Sequence, residues 1–139
     1  MKVHQDTIEI ASRGPGLHDV TREIARVVHE ASVRTGLCHV FVQHTSASLL
    51  VQENADPAVL RDLERWLAKL APEDPKAYEH DQEGADDMPA HLRAAVTRTG
   101  ETIPVHESAL AVGTWQAVYL WEHRRAAHRR KLVVTVMGV

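Results

Sequence analysis

The period of the apolar residues changes several times along this chain, and that switching limits the available folds more than any other feature. Residues 1–12 place Val3, Ile8 and Ile10 among polar neighbours in an imperfect alternation, which predicts a strand. Gly14-Pro15-Gly16 breaks it, and Asp19 or Thr21 is placed to cap a following helix. In that helix Val20, Ile24, Val27, Val28 and Ala31 recur at helical spacing on one face, with Gly36 as the expected stop. Residues 37–43 form a nearly continuous apolar run, predicting a buried strand. It is interrupted at Thr45-Ser46-Ala47-Ser48 and resumes over 49–51. Asp56-Pro57 is a strong helix start, and Leu60, Leu63, Leu67 and Leu70 line a helix that ends near Pro72.

Residues 72–87 read as a carboxylate-rich loop, and 88–96 as a short helix capped by Asp86 or Asp87. Strands are expected over 102–106, 110–112, 115–123 and 131–137. The late strands carry apolar residues at both parities, such as Val118, Leu120, Val133, Val134 and Val136. Such strands need cover on both faces, from a sandwich partner or from another subunit. The pattern predicts one α+β domain over residues 1–139, with β-sandwich-like mixed sheets and about three helices.

Composition narrows the function more than the fold. A net charge of -3 argues against bulk attraction to nucleic acid or to an anionic membrane. A single cysteine, Cys38, excludes both an internal disulfide framework and a cysteine-rich zinc site, and its apolar strand makes it a core residue. Residues 1–11 hold no continuous apolar stretch of signal-peptide length, and no later run reaches membrane-spanning length. The expected compartment is the cytoplasm. Ten histidines are the anomaly, because imidazole is both a common metal ligand and a proton carrier near neutral pH.

Three constellations can carry chemistry. The first is His44-Thr45-Ser46-Ala47-Ser48, where three hydroxyls beside a histidine suit an oxyanion, although an ordinary Ser/Thr turn gives the same pattern. On strand parity His44 shares a face with Cys38, Val40 and Val42. The second runs from His80 to His91 and packs two imidazoles and four carboxylates around a loop-to-helix junction. That donor set suits a divalent metal, yet it matches no short zinc motif, and a solvated loop with helix caps is the competing reading. The third, Glu122 to Lys131, carries five fixed positive charges. Arg124, Arg129 or Arg130 can grip a phosphate, or the segment can be a solvated hairpin with salt bridges. No phosphate-binding loop, dinucleotide glycine fingerprint or nucleophile elbow is present.

Taken together, five segments resemble the YjbQ-like family, which is named for a secondary thiamine-phosphate synthase activity. They are His44-Thr45-Ser46-Ala47-Ser48, Glu53-Asn54-Ala55-Asp56-Pro57, His80-Asp81-Gln82-Glu83-Gly84, Asp87-Met88-Pro89-Ala90-His91, and Gly113-Thr114-Trp115-Gln116 with Tyr119-Leu120-Trp121-Glu122-His123-Arg124. Two positions depart from the family pattern: Gln52 stands in place of an asparagine, and Ser108 in place of a turn glycine.

The resemblance implies a compact α+β homotrimer with a histidine-rich metal pocket near a subunit boundary. Its metal ligands would be His44, His80 and His91, with Glu53, Asp87, Glu122 and Arg124 as catalytic candidates. Thr45, Ser46, Ser48 and Arg130 are the candidates for holding the phosphorylated substrate. Zinc is the first choice of metal because the ligands are nitrogens, and magnesium the second if phosphate supplies most contacts. The reaction implied is a transferase step that joins a pyrimidine pyrophosphate to a thiazole phosphate and releases pyrophosphate. Two other functions fit the same residues. One is a metal-dependent phosphohydrolase with Asp87 or Glu53 as base, and the other a non-enzymatic binder of a metal or phosphometabolite.

Overall fold

A computed structural model describes all residues, 1–139. In chain order the elements are β1 (Lys2–Ser12), β2 (Gly16–Asp19), α1 (Thr21–Ala31), β3 (Gly36–Val42), β4 (Ala47–Glu53) and α2 (Pro57–Leu70). They continue with α3 (Asp87–Val96), β5 (Gly100–His106), β6 (Ala109–Leu110), β7 (Gln116–Glu122) and β8 (His128–Gly138). The strands form a five-stranded sheet in the order β1-β8-β3-β5-β6 and a three-stranded sheet in the order β2-β7-β4. Every pairing is antiparallel, so the expected mixed sheets are corrected.

Alternation sets what each strand buries. Ile8, Cys38, Val40, Val42, Ile103, Leu132, Val134 and Val136 of the larger sheet meet Ala47, Leu49, Val118 and Leu120 of the smaller one in a single core. Helix α1 adds Ile24, Val27, Val28 and Ala31, the face set by its periodicity. Strand β7 is buried on both faces from Ala117 to Glu122, as its apolar residues at both parities require. Its outer side lies against α2, where Trp121 Nε1 donates to Glu64 Oε2 at 2.6 Å. Gly36 and Gly138 are register partners, and a Cβ on Gly36 would lie 2.0 Å from the Met137 carbonyl, so the strands meet where neither residue has a side chain.

Several local expectations are corrected. The Gly14–Gly16 break opens directly into β2, whose Gly16–Asp19 pairs with β7. The N-cap of α1 is Val20, while Asp19 accepts from Thr21 N and the Thr21 hydroxyl turns to Val118 of β7. The helix stops at Ser32 in the left-handed region, leaving Gly36 to begin β3. Asp56 caps α2 through Ala58 N as expected. Asp86 stands at the N-cap of α3 as expected but makes no side-chain capping bond, because its carboxylate and that of Asp87 are drawn to cations and imidazoles instead.

Candidate metal centre

The site forms where the acidic loop enters α3. Asp87 is the first residue of that helix, and His91 follows one turn later on the same face. Asp87 Oδ2 lies 2.6 Å from His80 Nε2 and 3.1 Å from His91 Nε2, while Oδ1 is held by Arg124. Glu83 completes the group, its carboxylate 3.3 Å from His80 Nε2. One donor atom from each of His80, Glu83, Asp87 and His91 lies within 4.8 Å of the others. The two imidazoles meet edge to face, with centroids 5.4 Å apart.

The loop is pinned from below by the turn after β7. Arg124 Nε donates to Asp86 at 3.1 Å and its Nη2 to the Glu83 carbonyl at 2.9 Å, while Arg125 N donates to Asp86 and its guanidinium pairs with Glu73. This joins the basic constellation to the acidic one. Gly84 has φ +102, and a Cβ there would meet Asp86 Oδ1 at 3.1 Å, so the loop needs a glycine at this bend.

Electrostatics follow from these contacts. Burial works to raise Asp87, but the hydrogen bond from His80 and the charge of Arg124 outweigh it and hold the carboxyl below its ordinary value. His80 is drawn upward, chiefly by its hydrogen bond to Asp87. His91 donates Nδ1–H to the Thr45 carbonyl at 3.1 Å, which leaves the lone pair of a neutral ring on Nε2, opposite Asp87. Two acceptors then face each other, an arrangement that needs a proton or a cation between them. The backbone bond on the far nitrogen is also the support that metal-bound imidazoles use. Two nitrogens and two carboxylates therefore fit a divalent ion.

Behind this group lies a buried pair at one end of the sandwich. Glu122 is fully buried on the core-facing side of β7, and Arg130 of β8 meets it through Nε at 2.7 Å and Nη2 at 2.5 Å. Ser12 donates to the same carboxylate at 2.5 Å, and Ser46 Oγ accepts from Arg130. Burial works to raise Glu122, but the bonds from Arg130 and Ser12 keep it below the ordinary range. Its Oε2 also accepts from the backbone N–H groups of His123 and Arg124, fixing the turn that carries Arg124 to Asp87.

The other expected residues fall around this centre unevenly. The His44 ring lies outside the four-residue group, and its Nε2 accepts from Lys131 N at 2.8 Å. Thr45 joins the centre through its carbonyl. Ser48 is buried and bonded to His123 Nε2 at 2.9 Å, and Ser46 and Arg130 are engaged inside the sandwich, so these three point away from open solvent. Glu53 is at the opposite end of β4, six residues and about 20 Å from Ala47. There it accepts from Ala55 N and Asp56 N, far from any base role at the centre.

Sequence reasoning passed over Glu83 as one carboxylate among many, because a loop has no periodicity to single it out. It gave His123 no role of its own, although the residue lies in the Tyr119–Arg124 motif and at the end of a strand apolar at both parities. That ring is 1% exposed, and burial pushes it down to about 3. Two cavities flank the centre. One, about 180 Å³, includes Asp74, Tyr78, His80, Asp81 and Met88 in its lining, and the other, about 260 Å³, has His44, Thr45 and His91.

The chain matches the family described as "UPF0047 protein YjbQ-like" over residues 6–139. It is 53% identical to a UPF0047 protein of Synechocystis, covering 97% of this chain and 92% of that one. Similarity to the UPF0047 protein YjbQ of Escherichia coli O157:H7 is 40% identity, covering 97% and 98%. Among solved structures, a YbjQ-like protein of unknown function from Sulfolobus solfataricus superposes with a TM-score of 0.89 at 25% identity, covering 99% of each chain. A conserved hypothetical protein from Thermus thermophilus gives 0.84 at 32% identity, covering 95% and 99%. No helix of this chain is long and apolar enough to cross a membrane.

Proposed function

Given that this chain belongs to the YjbQ-like UPF0047 family, we propose that it is a metal-dependent enzyme acting on phosphorylated small molecules, with thiamine-phosphate synthesis as the candidate reaction. The observation that carries this reading is the convergence of His80, Glu83, Asp87 and His91 within 4.8 Å, with Asp87 buried and held by Arg124. These four residues would hold the ion, and zinc remains the first choice because two of the four donors are imidazole nitrogens. A bound divalent ion supplies positive charge to the oxygens of a departing or transferring phosphate.

The remaining chemistry belongs to the chain itself. Arg124 spends its guanidinium on Asp86, Asp87 and the Glu83 carbonyl, so it orients the carboxylates instead of gripping substrate. Glu122 and Arg130 fix the turn beneath it. In the candidate reaction the bond from the pyrimidine methylene to its pyrophosphate oxygen breaks. The thiazole nitrogen supplies the electron pair for the new carbon–nitrogen bond, and pyrophosphate leaves. Incubating zinc-loaded protein with both precursors should give thiamine phosphate and pyrophosphate in equal amounts, and Asp87→Asn should abolish both. Turnover that survives in Asp87→Asn would assign it to a contaminant or to another site.

A further inference from the structure

Resting on that reading, we infer that His44 is a hydrogen-bond donor to the phosphate oxygens of the substrate, seated in the 260 Å³ cavity beside the metal centre, and is not itself a ligand. A backbone N–H can only donate. The 2.8 Å contact from Lys131 N to His44 Nε2 therefore places the imidazole lone pair on that nitrogen and the ring proton on Nδ1. Nδ1 has no partner within the chain, and the half-buried ring lines the cavity. To ligate a metal, His44 would have to surrender either the Lys131 contact or its remaining proton. His91 has the opposite arrangement, with Nδ1–H given to the Thr45 carbonyl and Nε2 turned to Asp87. Two histidines side by side thus present different chemistry, one a lone pair and one a proton.

The cavity itself suits an oxyanion. It is lined by His44, Thr45, His91, Ala94, Ala95 and Thr99, which include an N–H donor and two threonines but no carboxylate. The cavity on the far side of the centre contains Asp74 and Asp81 and is the poorer place for an anion. Burial, with the charges of Arg130, His128 and Lys131, holds the His44 ring below its ordinary value against an opposing pull from the Glu122 carboxylate. The volume lies just under the range of small-molecule sites, enough for a phosphate and a few attached atoms, not for a whole two-ring product. His91 forms a wall common to the cavity and the four-residue group, so a phosphate seated here lies next to the metal.

Two measurements on His44→Ala and His44→Asn decide the matter. One is zinc retained per chain after gel filtration, by elemental analysis. The other is affinity for inorganic phosphate on chelator-stripped protein, by calorimetry. His44→Ala should retain as much zinc as the unchanged chain and bind phosphate about tenfold more weakly, the scale of one lost bond to an anion. His44→Asn puts an amide N–H close to the position of Nδ1–H and should keep most of the phosphate affinity, which separates the donor from any general loosening of the fold. Loss of zinc from His44→Ala, in parallel with His80→Ala, would make His44 a ligand and overturn the inference. Unchanged phosphate affinity in His44→Ala would overturn it as well. If the unchanged chain retains no zinc, the metal-dependent reading fails, and the phosphate measurements still decide the role of His44.

Discussion

At the scale of single residues, opposite behaviour is assigned to side chains of the same type. His80 is drawn upward by Asp87, whereas His123 is sealed against Ser48 and Trp121 and pushed down to about 3. This has a direct consequence for acid stability. The unfolded chain takes up a proton on His123 below its ordinary 6.5, and the folded chain does not until about pH 3. Stability from this group is therefore complete above pH 6.5 and declines as the pH falls, by up to about 1.4 kcal/mol per pH unit. Glu122 acts in the same direction but only at lower pH, because its ordinary value is 4.5 and its folded value is lower still. Urea unfolding of wild type and His123→Gln between about pH 5 and pH 6 isolates the histidine. The variant should show the shallower pH dependence, and parallel curves would show that His123 is not held neutral.

At the scale of elements, the sequence was most legible where one periodicity runs without competition. The α1 face, the Asp56-Pro57 start of α2 and the two-sided burial of β7 all follow from residue spacing alone. Asp56→Ala should lower stability by about 1 kcal/mol, the usual value of a lost N-cap, with little effect on metal content; a thermal melt would check it. What spacing could not give was the destination of polar side chains. Asp86 and Asp87 stand where caps belong, but Arg124 and Arg125 arrive from residues almost forty positions away and take them. His44 was legible as an inward residue on strand parity, yet β3 ends at Val42, and beyond that point parity no longer governs direction. Strand β2 was hidden because Gly14-Pro15-Gly16 reads as a break whether or not a strand follows.

At the scale of the whole molecule, the outer face of the five-stranded sheet has no helix over it. Strand register places Val3, Met137, Leu37 and Pro104 in one row across four strands. Val133 and Phe41 lie in another, and Gln5–Thr135 and His39–Thr102 hydrogen bonds lie between. Leu37 and Phe41 remain 47% and 45% exposed, which is costly for a lone chain. We propose that this face is covered by further copies in the homotrimer that the family resemblance implies. Light scattering should give three times the 15.5 kDa chain mass, and Phe41→Glu should reduce it to the single-chain value; a single-chain mass for wild type at high concentration would refute the assembly. Whether the four-residue group holds an ion is decided by zinc titration of chelator-stripped protein. Wild type should take up one zinc per chain and Asp87→Asn none, while the fold of the variant persists because Arg124 keeps Asp86 as a partner. Wild type that takes up no zinc, or Asp87→Asn that binds it equally well, would show that His80, Glu83, Asp87 and His91 are not a metal site.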